Sequence, residues 1–213
     1  MKSIKGRITT LLFDWDGTLS DSALAGFLAF QRTFDDLGIN FTQEFYEARY
    51  SPNWYAMYEA LSLPKEKWQA ADELWLGHYG EQPPKLVHGA GTTILELQSR
   101  GYRLGIVTSG TNRRVAREIE QLGLISNFEA VICNEHIVNK KPHPEGLEKA
   151  MRLLAIDRDA CSYVGDAPED VQMGKSARVL TVAVRSSYPT SRHLLSERPD
   201  IHLESISDML LHF

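Results

Sequence analysis

Five short runs of apolar and β-branched residues, Ile8–Phe13, Arg103–Val107, Ala130–Ile132, Cys161–Val164 and Val179–Val184, alternate with longer segments of helical pattern. Strands this short and this apolar must be covered on both faces, and helical crossovers supply the cover. The alternation therefore predicts a doubly wound α/β fold around a parallel sheet. The intervening helices stop where local chemistry requires it: Thr92–Arg100 is closed by Gly101 and Asn112–Leu122 by Gly123, while Pro144 opens a helix reaching about Leu154.

The first two runs are separated by roughly ninety residues, far more than a crossover needs. An inserted unit is implied. Residues 21–85 read as all helix: Ser22–Leu37 closed by Gly38, then Thr42–Tyr50, Pro52–Leu61 and Lys65–Tyr79, with Pro83 and Pro84 marking the return. Trp68, Ala71, Trp75 and His78 recur at helical spacing and read as a packing face rather than a ligand site. The expected division is a core of residues 1–20 and 86–213 with an all-helical insertion of residues 21–85.

The formal net charge of -5 gives the chain no general attraction for nucleic acid or anionic lipid, so any bound phosphate must be held by local cations. No run approaches the roughly 18 apolar residues of a membrane span, and the basic N-terminal residues Lys2, Lys5 and Arg7 precede no leader-like apolar stretch. Cys133 and Cys161 lie far apart and read as free thiols buried on strands. The seven histidines form no zinc pattern. These features point to a cytoplasmic protein, monomer or homodimer, whose partner is a small molecule.

The ends of the predicted strands carry the chemistry. Asp14-Trp15-Asp16-Gly17-Thr18 follows the first strand, placing two carboxylates at i and i+2 where ligands bind in such folds. One carboxylate there can attack phosphorus while its neighbour handles the leaving group's proton, and a hard divalent cation would balance their charge. Strand alternation sends Trp15 the other way, into packing. An EF-hand reading fails, because the twelfth position of such a loop holds Ala25 rather than Glu. Thr108, Ser109 and Gly110 follow the second strand and offer a hydroxyl and backbone amides for phosphate oxygens. Asn139-Lys140-Lys141-Pro142 follows the third, and Gly165-Asp166-Ala167-Pro168-Glu169-Asp170 the fourth. In the insertion, Arg49 beside Tyr50 offers a guanidinium fork for a second anionic group, with a solvated arginine as the alternative. The run Arg113-Arg114-Val115-Ala116-Arg117 reads as a solvent face or as cover for phosphate charge, and Asn112 as a phosphate ligand or helix cap. Gly89 and Gly91 do not form a nucleotide-binding Gly-x-Gly-x-x-Gly.

In these four strand-end motifs the chain resembles the haloacid dehalogenase-like hydrolase superfamily, over essentially its whole length. The resemblance implies a Rossmann-like core with Asp14 as nucleophile, Asp16 as general acid and base, Thr108 as phosphate-binding hydroxyl and Lys141, the lysine directly before Pro142, as the motif lysine. It further implies Mg2+ held by the Asp14 carboxylate, the Asp16 backbone carbonyl and Asp166, with Asp170 in support. The helical insertion resembles the cap of the branch that includes phosphoglycolate phosphatase and β-phosphoglucomutase. The expected activity is hydrolysis of a small phosphorylated metabolite through an aspartyl-phosphate. Asp16 sets the chain apart from dehalogenating members, which need no leaving-group proton. The alternatives are a hexose-phosphate mutase with the same core and, from another class, a phosphoacceptor signalling module.

Overall fold

A computed structural model describes residues 8–213; Lys2, Lys5 and Arg7 lie outside the described residues. Every residue of β1 (Thr10–Phe13) is buried, as suits a strand covered on both faces. β1 pairs in parallel with β2 (Arg103–Val107) on one side and β4 (Cys161–Gly165) on the other. With β3 (Ala130–Ile132), β5 (Leu180–Val184) and β6 (Ile201–Leu203) these form a six-stranded parallel sheet in the order β3-β2-β1-β4-β5-β6. The sixth strand escapes the sequence pattern because His202 interrupts its three residues, whereas the equally short edge strand β3 is apolar throughout.

Strand alternation sorts the core into two layers. Leu11, Phe13, Ile106 and Val164 face α5 (Ala90–Ser99), α6 (Asn112–Gln121) and α9 (Met209–His212). Leu12, Val107 and Tyr163 face α7 (Glu145–Leu154) and α8 (Pro168–Ala177). The sheet is therefore doubly wound. Chain order reverses between β1 and β4, which opens a crevice beyond their carboxyl ends. Cys161 opens β4, whereas Cys133 lies one residue past β3 rather than on it; both are buried and free.

Between β1 and β2 the chain runs through α1 (Ala23–Asp36), α2 (Gln43–Arg49), α3 (Trp54–Ala60) and α4 (Trp68–Gly80). Lys65–Lys67 form a 3-10 turn leading into α4, so the segment expected as one helix has two parts. These helices bury their own apolar cluster, including Phe30, Phe34, Phe41, Met57 and Tyr58. The outgoing and returning chains lie side by side, with Asp21 N–H donating to Lys85 O at 2.8 Å and Val87 N–H to Leu19 O at 2.9 Å. On α4, Ala71 is buried and Trp75 packs on Phe30 with centroids 5.5 Å apart. His78 leaves that face and meets Asp36 at 2.7 Å. Among the described residues no helix is long and apolar enough to cross a membrane.

Leu12 lies at the centre of the sheet with no exposure. Leu12→Ala removes a buried side chain where neighbours on both sides are fixed by strand pairing, and is expected to cost about 2–5 kcal/mol in urea unfolding. A loss under about 1 kcal/mol would show that the two layers close around the cavity.

Candidate active site

Two adjacent strand ends build the floor of the site. The register Phe13↔Val164 carries Asp14 beside the turn after β4, and Asp14 N–H donates to Val164 O at 2.8 Å. Gly17 then turns the chain with φ +81°, and a side chain there would run into the Asp166 carboxylate. Trp15 points away from the crevice; it is fully buried and donates its indole N–H to Glu118 Oε2 at 2.7 Å.

Asp14, Asp166 and Asp170 are all buried and bring carboxylate oxygens within 4.8 Å of one another. Lys141 Nζ lies 2.7 Å from Asp14 Oδ1 and 2.7 Å from Asp170 Oδ1. Lys140 instead points outward and donates to the carbonyls of Asn134 and Ile137. Asp170, in the first turn of α8, accepts the backbone N–H groups of Asp166 at 3.1 Å and Ala167 at 3.0 Å through one oxygen and the Tyr163 hydroxyl at 3.2 Å through the other. Thr18 and Ser186 hydroxyls fix Asp166 from both sides, at 3.0 and 2.6 Å.

This crowding sets the electrostatics. Burial pushes the Asp14 carboxyl up to about 7, against the pull of Lys141 and with the push of Asp170. Burial, together with the charges of Asp14 and Asp170, holds Asp166 well above the usual carboxylate range. Burial opposes the Lys141 charge, but Asp14 and Asp170 outweigh it and keep the ammonium protonated. Three buried carboxylates with oxygen-only donors and a single ammonium suit a hard divalent cation. The group could hold a metal through Asp14 and Asp166, with Asp170 bound to the lysine.

Asp16 occupies a different environment. Its two oxygens meet Arg114 Nη1 at 3.0 Å and Nη2 at 2.5 Å. Arg114 also reaches Glu118 Oε1 at 3.1 Å, one helical turn along α6. Burial works to raise the Asp16 pKa, but the Arg114 charge and hydrogen bonds prevail and lower it. The Asp16 side chain thus stands outside the three-carboxylate group. The solvent-face alternative for residues 113–117 holds for exposed Arg113 but not for Arg114, which is only 6% exposed, lines the cavity and lies over the rings of Tyr79 at 5.1 Å and Trp75 at 6.0 Å. The Arg-x-x-x-Glu spacing of Arg114 and Glu118 is the sequence signal for this pair.

Thr108, Ser109 and Gly110 line the same cavity, which measures about 330 Å³. Thr108 Oγ1 accepts the Gly110 N–H at 3.0 Å. A side chain at residue 110 would strike Arg114, so glycine lets the loop and the guanidinium sit together. Asn112 is an exposed first-turn residue of α6, whose N-cap is Thr111. Arg49 is a further correction: it is exposed and does not line the cavity, because it sits about 100° around the helix from Tyr50, which does. The roof comes from α1, α2, α3 and α4, and Tyr188, after β5, stacks on Tyr50 at 4.9 Å and hydrogen-bonds Ser22 at 3.0 Å. Ser186 and Tyr188 escape the sequence reading, although they follow a predicted strand just as the other site residues do.

A family model described as haloacid dehalogenase-like hydrolase matches residues 11–184. The chain belongs to the haloacid dehalogenase-like hydrolase family. It is 32% identical over 209 residues to a protein of Listeria monocytogenes named pyrophosphatase PpaX, covering 96% of each chain. A Bacteroides fragilis protein assigned as a haloacid dehalogenase-like hydrolase superposes with a TM-score of 0.86 at 20% identity, covering 95% of this chain and 100% of the other. CbbY from Rhodobacter sphaeroides, solved with phosphate, superposes with a TM-score of 0.80 at 22% identity, covering 95% of this chain and 96% of its own.

The raised Asp14 pKa makes the stability of the metal-free protein depend on pH. Between about pH 4 and 7 the folded chain retains a proton on Asp14 that the unfolded chain has lost, so stability falls as pH rises through that window and levels off above it. The fall is expected to amount to a few kcal/mol, since each tenfold change in proton affinity between the folded and unfolded chain is worth about 1.4 kcal/mol. Melting temperatures in chelator should drop from pH 4.5 to pH 7.5, the drop should shrink in Asp14→Asn, and a divalent cation should restore the neutral-pH value. A flat profile in chelator would show that Lys141 alone compensates the cluster.

Proposed function

We propose that the chain is a Mg2+-dependent phosphatase that hydrolyses a small phosphomonoester through an aspartyl-phosphate on Asp14. The observation that carries this reading is the placement of Asp14, held 2.7 Å from Lys141, and Asp16 on one cavity floor next to a three-carboxylate group. Asp14 and Asp166 would hold the magnesium, with the Asp16 backbone carbonyl as a further ligand. When bound, the ion supplies a positive charge that screens the carboxylates from an incoming phosphate.

The chain's own groups account for the rest. The Thr108 hydroxyl and the amides of Ser109 and Gly110 bind phosphate oxygens, and Lys141 neutralises charge shared between Asp14 and the phosphoryl group. An Asp14 oxygen attacks phosphorus as the bond to the leaving oxygen breaks, and Asp16 gives that oxygen its proton. Water then attacks phosphorus, Asp16 takes the water proton, and the bond to Asp14 breaks to release phosphate. Asp16 is held ionised by Arg114 before substrate arrives. A phosphate dianion brought in beside it adds like charge and competes for the guanidinium; both effects raise its pKa, and Asp16 takes up from solvent the proton that it then gives to the leaving oxygen.

The helical insertion acts as a cap bounded near residues 20 and 86, where the two connecting chains lie side by side. Its separate apolar cluster supports rigid-body opening for product release. A phosphoacceptor role accounts for neither the roof over the site nor the second aspartate.

Phosphate release from a panel of phosphomonoesters and pyrophosphate tests the reading. Activity should require Mg2+ and vanish in Asp14→Asn. Asp16→Asn should lose about 10²–10⁴-fold in kcat/KM on alkyl phosphates but far less in kcat/KM on p-nitrophenyl phosphate, whose leaving group needs no proton, while kcat falls for both because water attack on the aspartyl-phosphate still needs the base. Wild-type turnover in pure Asp14→Asn would remove the nucleophile assignment.

A further inference from the structure

The proposed reaction uses one end of the cavity. The other end is walled by Trp54, Tyr55, Tyr58 and Trp75 of the insertion, for which the chemistry has no task. Three of these rings aim their polar atoms at one carboxylate. Trp54 Nε1–H and the Tyr58 hydroxyl donate to Asp72 Oδ1 at 3.0 and 2.9 Å, and the Tyr55 hydroxyl donates to Asp72 Oδ2 at 3.1 Å. Asp72 itself lines the cavity, half-buried on α4. Its neighbours fix its orientation but are all neutral, and burial pushes its carboxyl above the ordinary aspartate value. Asp72 is therefore an oriented negative charge lacking a cation among the described residues.

The charge of the whole cavity points the same way. Asp14, Asp16, Asp72, Glu135, Asp166 and Asp170 line it, against Arg114 and Lys141; with Mg2+ on Asp14 and Asp166, Asp72 and Glu135 are the carboxylates left without a cation among the described residues. Both cations are committed, Arg114 between Asp16 and Glu118 and Lys141 between Asp14 and Asp170. A second anionic group on the substrate, such as the carboxylate of phosphoglycolate or the second phosphate of pyrophosphate, would face Asp72 and ring π-clouds, and would have to draw Arg114 out of its pairs with Asp16 and Glu118. A cationic group would meet the opposite: a carboxylate and several aromatic surfaces whose quadrupoles attract positive charge. A neutral polyol could donate to Asp72 Oδ2 as well, but it would leave the carboxylate charge unanswered.

We propose that the insertion end of the cavity is an ammonium subsite and that the substrate is the phosphomonoester of an amino alcohol, its nitrogen held by Asp72 within the Trp54, Tyr55 and Tyr58 wall. The proposal rests on the phosphomonoester reading above and names the substrate class for the same site. A primary ammonium would donate to Asp72 Oδ2, which accepts only one hydrogen bond in the structure. A quaternary one would use the ring surfaces.

The decisive comparison is phosphocholine and phosphoethanolamine against 3,3-dimethylbutyl phosphate, which replaces the choline nitrogen with carbon at the same shape. Wild-type kcat/KM should favour the cationic esters by about tenfold or more, chiefly through KM. Asp72→Asn keeps the size and an accepting oxygen, and should remove most of the preference for phosphoethanolamine and reduce that for phosphocholine, which still meets the ring surfaces. Equal kcat/KM for the cationic and carbon esters in the wild type, or an unchanged preference in Asp72→Asn, would overturn the subsite. Should Asp72→Asn fail to fold, the wild-type comparison decides alone. If no ester is hydrolysed at all, the phosphatase reading fails separately, and calorimetric binding of the same compounds to wild-type protein decides the subsite: phosphocholine about tenfold tighter than its carbon analogue supports it, and equal affinity overturns it.

Discussion

The structure depends on keeping several carboxylates buried at the carboxyl edge of one sheet. Asp14, Asp166 and Asp170 stand together in the crevice between β1 and β4, and Asp16 and Glu118 are tied to each other through Arg114 beside them. Their charges are answered by two cations, Lys141 and Arg114, each shared between two acids. Such arrangements seldom favour stability, since well-packed apolar residues in the same space would commonly hold the fold as well or better. The cluster is suited to the proposed chemistry instead: its surplus of negative charge could hold a divalent cation, and one Asp14 oxygen stands outside the lysine pair. Topology makes the cluster possible. Parallel pairing of β1 with β4 aligns Asp14 with the turn after Gly165, while the chain after β3 must cross in front of the sheet to deliver Lys141.

Arg114 connects this floor to the roof. It is rooted in α6 of the core, carries the Asp16 ion pair on one side and lies under Tyr79 and Trp75 of the insertion on the other. The aromatic rings cover the arginine side of the ion pair, which strengthens its electrostatics and helps to fix the Asp16 carboxylate. The stacking of Tyr50 on Tyr188 makes a second contact between insertion and core. Closing the roof and setting the charge on Asp16 are thereby coupled through the same side chains. Opening would expose Arg114 and Asp16 to solvent together, weakening the pair when product must leave.

The sheet is legible in the sequence because its central strands are apolar on both faces, and the helical insertion because no crossover needs roughly ninety residues. β6 is not, since His202 breaks the apolar run that marks the equally short β3. The residues at strand ends can be read for the same reason that the fold can: a polar group directly after a buried strand has one place to go. That rule also covers Ser186 after β5, where a lone serine lacks the charge that singles out Asp14 or Lys141. Arg114 defeats the sequence pattern because a cluster of arginines on a helix normally marks a solvated face, and only the partners Asp16 and Glu118, distant in one case by 98 positions, make its burial tolerable. Arg49 errs in the opposite direction. Its chemistry suits an anion, but α2 and its cap present Tyr46 and Tyr50 to the cavity and leave the arginine outside.

Floor and roof answer to different constraints, and this bears on how far likeness to relatives carries. The floor is fixed by strand register and by charge balance among residues close in space, so one change there disturbs several others. The roof is built on four helices with their own apolar cluster, and its cavity-facing side chains can vary without disturbing the sheet. Membership of the hydrolase family, and a 32% identical relative matched along nearly its whole length, therefore speak chiefly to the floor. The substrate has to be read from the roof itself, where an oriented carboxylate stands among aromatic rings and both cavity cations are already engaged on the floor.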